Sequence, residues 1–156
     1  MPERDAAELL RDAKRVVVFT GAGMSAESVR LNTVASNLAN ADSVSGSPTT
    51  AYRARYPVFQ AIQASLMSPG GTPDPTQAAD AAVKVSGIVQ TTAPGTPSYQ
   101  PGNPLADANG FVYSSNVNVV EQMADMISAS RSYQNDVQVL ETSKSLMLDT
   151  LKLGQV

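Results

Sequence analysis

The sequence predicts an α+β chain. Long N- and C-terminal helices pair as a coiled-coil-like unit around an irregular, β-rich middle crowded with Gly and Pro. Three observations carry that prediction. Residues 119–153 contain no Gly and no Pro. Residues 42–115 hold nine of the ten Pro and seven of the ten Gly, a density that breaks long helices. Ahead of them, Met24, Ser28, Leu31, Ala35 and Leu38 recur at steps of 4, 3, 4 and 3, with Val34 alongside, which is helical spacing.

The C-terminal helix is the clearest element. Asn118 followed by Glu121 fits an N-terminal cap and Gly154 fits the stop. At ~1.5 Å per residue the stretch between them reaches roughly 52 Å. Val119, Met123, Met126, Ser130, Tyr133, Val137, Leu140, Lys144, Met147 and Leu151 step 4, 3, 4, 3 along it, a heptad rhythm. Ser130 and Lys144 interrupt the apolarity, while Val120, Ile127 and Leu148 broaden the stripe. A compact chain of this length has a radius of gyration of about 15 Å, so the helix overshoots its own fold. The N-terminal seam of Leu31, Val34, Ala35 and Leu38 covers only part of it. Each large seam residue contributes about 1.5–3 kcal/mol when fully buried, so other subunits are expected to complete the burial. A bent helix sealed inside a monomeric core satisfies the same spacing.

The rest divides into residues 1–27, an atypical segment; 28–41, the N-terminal helix proper; 42–115, the middle; and 116–156, the C-terminal helix. In the first segment Pro2, Glu3 and Asp5 suit a helix start, Lys14 and Arg15 suit its end, and Ala6, Leu9, Leu10 and Ala13 form its stripe. Residues 15–20 are β-branched and aromatic, predicting a buried strand. Gly21, Ala22 and Gly23 then predict a turn. Strands are expected within residues 50–62, 83–92 and 110–114, the first demoted to an edge by Pro57. Residues 64–80 read as a loop, and Asn109-Gly110 as a tight turn.

Composition removes several functions. The chain has no Cys and no His, which excludes thiolate nucleophiles, Cys-ligated zinc and imidazole bases. No catalytic residue, metal site or cofactor is expected. A net charge of −3 and a pI near 4.8, with no basic cluster, argue against nucleic acid. The longest strongly apolar run is Val16, Val17, Val18 and Phe19, too short for a bilayer span or a signal-peptide core. Neither membrane insertion nor a cleaved signal is therefore expected. Asp107, Asn109 and Gly110 read as a hairpin turn rather than a calcium loop, because the downstream Glu is missing. Asn and Ser side chains from Asn32 to Asn40 suit either hydrogen bonds between helices of an assembly or plain helix surface.

Residues 29–41, with Ser36-Asn37-Leu38-Ala39-Asn40-Ala41 at their centre, resemble the N-terminal signature of the flagellar rod and hook family. Tyr52-Arg53-Ala54-Arg55-Tyr56-Pro57-Val58-Phe59 is similar to the segment that follows it in proximal rod members. So are Tyr99-Gln100-Pro101-Gly102-Asn103-Pro104 and Ala106-Asp107-Ala108-Asn109-Gly110-Phe111-Val112 further on. The blocks at residues 116–123, 126–133, 142–148 and 151–155 resemble the family's C-terminal helix, so the likeness covers about residues 28–155. It implies a structural subunit of the bacterial flagellar basal-body rod. In such proteins the terminal helices of neighbouring copies assemble into the axial shaft used for motility. The partners implied are itself, other rod subunits and the flagellar type III export apparatus, and the location is the periplasmic rod.

Residues 14–28 resemble a different family instead. Lys14-Arg15-Val16-Val17-Val18-Phe19-Thr20-Gly21-Ala22-Gly23-Met24-Ser25-Ala26 looks like the NAD-binding opening of sirtuins, so the chain looks chimeric. That resemblance makes Gly21, Ala22, Gly23 and Ser25 weak candidates for a phosphate cradle. The alternative function is then a truncated NAD-binding fragment without deacylase activity, since that family's catalytic His and zinc-binding Cys are missing.

Overall fold

The computed structural model describes residues 6–63 and 81–153. Its elements run α1 (Ala6–Ala39), β1 (Val44–Ser45), β2 (Arg55–Gln63), β3 (Ala81–Gln90), β4 (Thr96–Tyr99), β5 (Phe111–Ser114) and α2 (Val119–Leu153). Two terminal helices with strands between them make the chain α+β. The loop expected over residues 64–80 and the stop at Gly154 lie outside the described residues, as do Pro2, Glu3 and Asp5.

The 35-residue α2 begins where the cap predicts. Asn118 Oδ1 accepts hydrogen bonds from the N–H groups of Val120 at 3.1 Å and Glu121 at 3.3 Å. Its own carbonyl accepts from Gln122 N–H at 3.0 Å. Two of the orphan donors of the first turn are thereby satisfied, worth about 1 kcal/mol.

The strand expected over residues 15–20 and the turn at Gly21 to Gly23 are not there. α1 passes through both as one helix of 34 residues. Helix-forming neighbours on either side outweigh the local β preference of four residues, which is a weak prior that tertiary context overrides. Thr20 and Ser25 satisfy their hydroxyls within the helix instead of competing with it for another backbone conformation. Thr20 Oγ1 donates to Val16 C=O at 2.8 Å and Ser25 Oγ donates to Gly21 C=O at 3.0 Å. Gly23 makes room for a neighbour instead of a turn: a Cβ there would lie 3.0 Å from Asp136 Oδ2, so that carboxylate would have to shift.

The chain divides into two compact units. The first is built from Ser28–Val58 and Val85–Ser130, and the second from the described parts of Met1–Glu27, Phe59–Lys84 and Arg131–Val156. In the first unit β5 is the central strand of an antiparallel sheet ordered β1-β5-β4. Val44 faces Ser114 on one side of it, and Tyr99 faces Phe111 on the other. Val112, on β5, is fully buried, and Val34, Ala51, Ala54 and Ala129 are the other buried apolar residues of this unit. The core is small and aliphatic, as a chain without Trp requires. In the second unit Thr20, Ala26 and Ser143 are buried. β2 and β3 pair as a separate two-stranded sheet, closed at its base by Thr91 N–H donating to Ala54 C=O at 2.9 Å.

The loop before β5 is organised by Asp107. Its Oδ1 accepts from Asn109 N–H at 2.8 Å and Phe111 N–H at 2.9 Å, and its Oδ2 accepts from Tyr113 Oη at 3.2 Å. Gly110 sits at φ +81°, which a residue with a side chain rarely adopts. The carboxylate is therefore occupied in holding a turn. The hydrogen bond from Phe111 N–H, with those from Asn109 and Tyr113, holds the Asp107 carboxyl below its usual range. A carboxyl whose pKa is lower folded than unfolded stabilises the fold above the unfolded value. That contribution disappears as pH falls through the folded value. Denaturant midpoints followed from neutral pH down through the carboxylate range should decline, and Asp107→Asn should both lower the neutral-pH midpoint and flatten the decline.

Candidate functional site

α1 and α2 meet in the first unit through polar and small side chains. Arg30 Nη2 donates to Asp125 Oδ1 at 3.0 Å, and Asn37 Nδ2 donates to Gln122 Oε1 at 2.8 Å. Position 37 pairs with 122 and position 30 with 125, so the helices run antiparallel there. Thr33, Val34 and Asn37 are buried on α1; Gln122 and Ala129 are buried on α2. In the second unit Ser143 continues the seven-residue spacing of Gln122 and Ala129.

The buried side of α2 thus falls one residue ahead of part of the sequence seam. Met126, Tyr133, Leu140 and Met147 are half-buried at every seventh position, and Val137 is half-buried too. Val119, Met123, Ile127 and Leu151 are exposed, as are Val120, Leu146 and Leu148. On α1, Val34 is buried, Leu31 and Leu38 are half-buried, and Ala35 is exposed. The two helices are held on this face by directional polar contacts, Asn37 to Gln122 and Arg30 to Asp125, and the larger apolar groups of α2 are left exposed. Val120 is 76% exposed and Ile127 is 56% exposed, so the chain's own fold does not cover this side of α2.

Asn37 is the most constrained polar residue. It is fully buried, and its amide has all its usual partners. Nδ2 donates to Arg55 C=O at 2.8 Å as well as to Gln122. Oδ1 accepts from Arg55 N–H at 2.9 Å and from Tyr52 Oη at 3.1 Å. Tyr52 Oη also lies 3.2 Å from Ser36 Oγ. Gln122 is less well served, because its buried Nε2 has no hydrogen-bond partner among the described residues. The Asn and Ser group of α1 therefore acts within the chain at Asn37 and Ser36, while Asn40 Nδ2 bonds Ser36 C=O at 2.8 Å and Asn32 faces outward. Spacing alone did not single out Asn37, Tyr52, Asn116 or Gln122. All four lie within or beside the quoted motifs, which was the available signal.

The phosphate-cradle candidates are not brought together as a site. Gly21, Ala22, Gly23 and Ser25 lie inside α1, where backbone N–H groups bond to carbonyls four residues back and cannot face a ligand. The strand-turn-helix that a nucleotide needs is absent from these residues. No group of three or more carboxylates that could hold a metal ion occurs among the described residues, and no described helix is long and apolar enough to cross a membrane.

Two family models match parts of this chain. Residues 20–46 match the flagella basal body rod protein family, and residues 108–153 match the C-terminal region of the flagellar basal body rod FlgEFG proteins. The chain is 50% identical to the flagellar basal-body rod protein FlgC of Salmonella typhimurium over 137 residues, 88% of this chain and 94% of that one. It is 51% identical to FlgC of Escherichia coli O157:H7 over the same length and shares. It is 37% identical to FlgC of Buchnera aphidicola subsp. Schizaphis graminum over 142 residues, 90% of this chain and 96% of that one. The chain belongs to the FlgC family of flagellar basal-body rod proteins. As a FlgC-family protein it is a structural component of the flagellar rod, and the rod match already includes Thr20 to Ser28. The sirtuin likeness of residues 14–28 finds no support, since its later part falls within the rod match and Gly21 to Ser25 lie inside α1.

Proposed function

We propose that this rod subunit assembles through the outward faces of its terminal helices, which pair with those of neighbouring copies and other rod subunits in a coiled-coil-like shaft. The observation that carries the reading is the two-sided character of α2. Gln122 and Ala129 are buried against the chain's own core while Val120, Met123 and Ile127 stand in water. Leaving three such side chains solvated forgoes about 1.5–3 kcal/mol each, which burial against a neighbour recovers. The exposed strands of the β2–β3 hairpin, with Tyr56, Val58, Ile88 and Val89, offer a second surface to the same neighbours. The subunit reaches the periplasmic rod through the flagellar type III apparatus and has no catalytic role.

Sedimentation velocity and electron microscopy across a concentration series test the reading. Higher oligomers or filaments should appear as concentration rises, and they should dissolve when Val120 and Met123 are both replaced by Glu. A chain that stays monomeric at every concentration, alone and with other rod subunits, would count against it.

A further inference from the structure

Asn37 engages Arg55 with both halves of its amide. Oδ1 accepts from the Arg55 N–H at 2.9 Å and Nδ2 donates to the Arg55 C=O at 2.8 Å. Exchanging both backbone groups of one residue is what a neighbouring strand does at a hydrogen-bonded antiparallel position. Arg55 is the first residue of β2. Asn116, three residues before α2, does the related thing one step away. Its Oδ1 accepts from Ala54 N–H at 2.8 Å and its Nδ2 donates to Ala93 C=O at 2.7 Å. Four backbone groups at the base of the β2–β3 hairpin are thus taken by two side-chain amides, one from α1 and one from the approach to α2.

A two-stranded hairpin is marginally stable by itself in water. Beyond the small Ala54 at its base, apolar burial does little to orient this one, since Tyr56, Val58, Ile88 and Val89 are all exposed. The directional bonds must do it. We infer that Asn37 and Asn116 are positioning residues that act as a surrogate strand, seating the base of the β2–β3 hairpin in the first unit and fixing how it is offered to neighbouring subunits. The seating stands on the geometry above; the offering to neighbours rests on the assembly reading.

Tyr56, next to Arg55, reports the seating. Burial first, then the charges of Glu121 and Asp125 on α2, push its phenol above the ordinary value. Those charges act only while the hairpin base stays beside the start of α2. The full chain, carbon-13 labelled at the tyrosine ring and with Tyr56 assigned by Tyr56→Phe, can be titrated by NMR at alkaline pH. Asn37→Ala should bring Tyr56 down towards the ordinary phenol value. Gln122→Met, which keeps the side-chain shape and cuts only the bond from Asn37 to α2, should leave it raised. Tyr56 staying raised in Asn37→Ala, or falling as far in Gln122→Met, would overturn the seating. If Asn37→Ala does not fold, Asn116→Ala carries the same test with the same two outcomes. Cells whose only copy is Asn37→Ala or Asn116→Ala should lose swimming. Full swimming by a variant with a lowered Tyr56 would overturn the offering to neighbours while the seating stands. The helix-face substitutions test assembly without involving the hairpin, so the two failures are distinguishable.

Discussion

Replacing Ile127 by Glu should abolish incorporation into the rod while leaving the isolated chain as stable as before. Ile127 is 56% exposed, so little of its side chain is withdrawn from water by the chain's own fold. Exposed substitutions of this kind usually change stability by no more than about 0.5 kcal/mol, and Glu is at least as good a helix former as Ile. Assembly is a different matter. A carboxylate carried into an apolar contact without a partner costs several kcal/mol, of order the whole contribution of the residue it replaces and more. Far-UV circular dichroism and urea midpoints should match the parent, and swimming should be lost. Ala129→Glu is the contrasting case two residues on. Ala129 is fully buried, so a charge there should lower the urea midpoint of the isolated chain itself. Normal swimming with Ile127→Glu would remove the outward face of α2 from the assembly surface.

The contrast between these two positions also shows what the sequence could reveal. The start and the course of α2 were legible because they are local: an Asn at its head, and an uninterrupted run without Gly or Pro after it. β3 and β5 were legible for a similar reason, since β-branched and aromatic residues cluster in them. The course of α1 was not. Val16 to Phe19 and the glycines at 21 and 23 have strand and turn preferences of their own, and the helical residues on either side, with the packing of the whole helix, override them. The strands β1 and β4, two and four residues long, carry too little pattern to stand out beside Pro and Ser. At the site, the heptad period of α2 was readable, but not which flank of its broad apolar stripe turns towards α1. That choice is made by small and polar residues, Gln122, Ala129 and Ser143, which a search for apolar periodicity passes over. The role of Asn37 is out of reach for the same reason. Its partners at 52, 55 and 122 are united by tertiary hydrogen bonds that leave no spacing in the chain.

Gly95→Ala should be the most damaging of the small substitutions in the first unit, more so than Gly110→Ala. Gly95 is buried at the entry to β4, where Thr96 faces Ser114. A Cβ on it would lie 2.2 Å from the Ser114 carbonyl oxygen and 3.4 Å from Ala51 Cβ. The near obstacle is backbone in the central strand β5, so no rotamer change relieves it. The sheet must spread, which disturbs the pairing of β4 with β5 and the burial of Val112 behind it. Overpacking of this kind costs about 1–3 kcal/mol, a large part of a typical domain's total stability of about 5–15 kcal/mol. Gly110 differs in both respects. Its demand is conformational, φ +81°, worth about 1–2 kcal/mol for a residue with a side chain. The nearest obstacle to a Cβ there is the Tyr99 ring at 2.9 Å, an exposed side chain set edge-on to Phe111, with Pro101 Cβ next at 3.2 Å; neither is as close as the carbonyl that meets a Cβ at Gly95. Urea midpoints should therefore rank parent above Gly110→Ala above Gly95→Ala. Backbone amides of β5 should exchange fastest in Gly95→Ala, since the ladder that protects them is what the added methyl group forces apart.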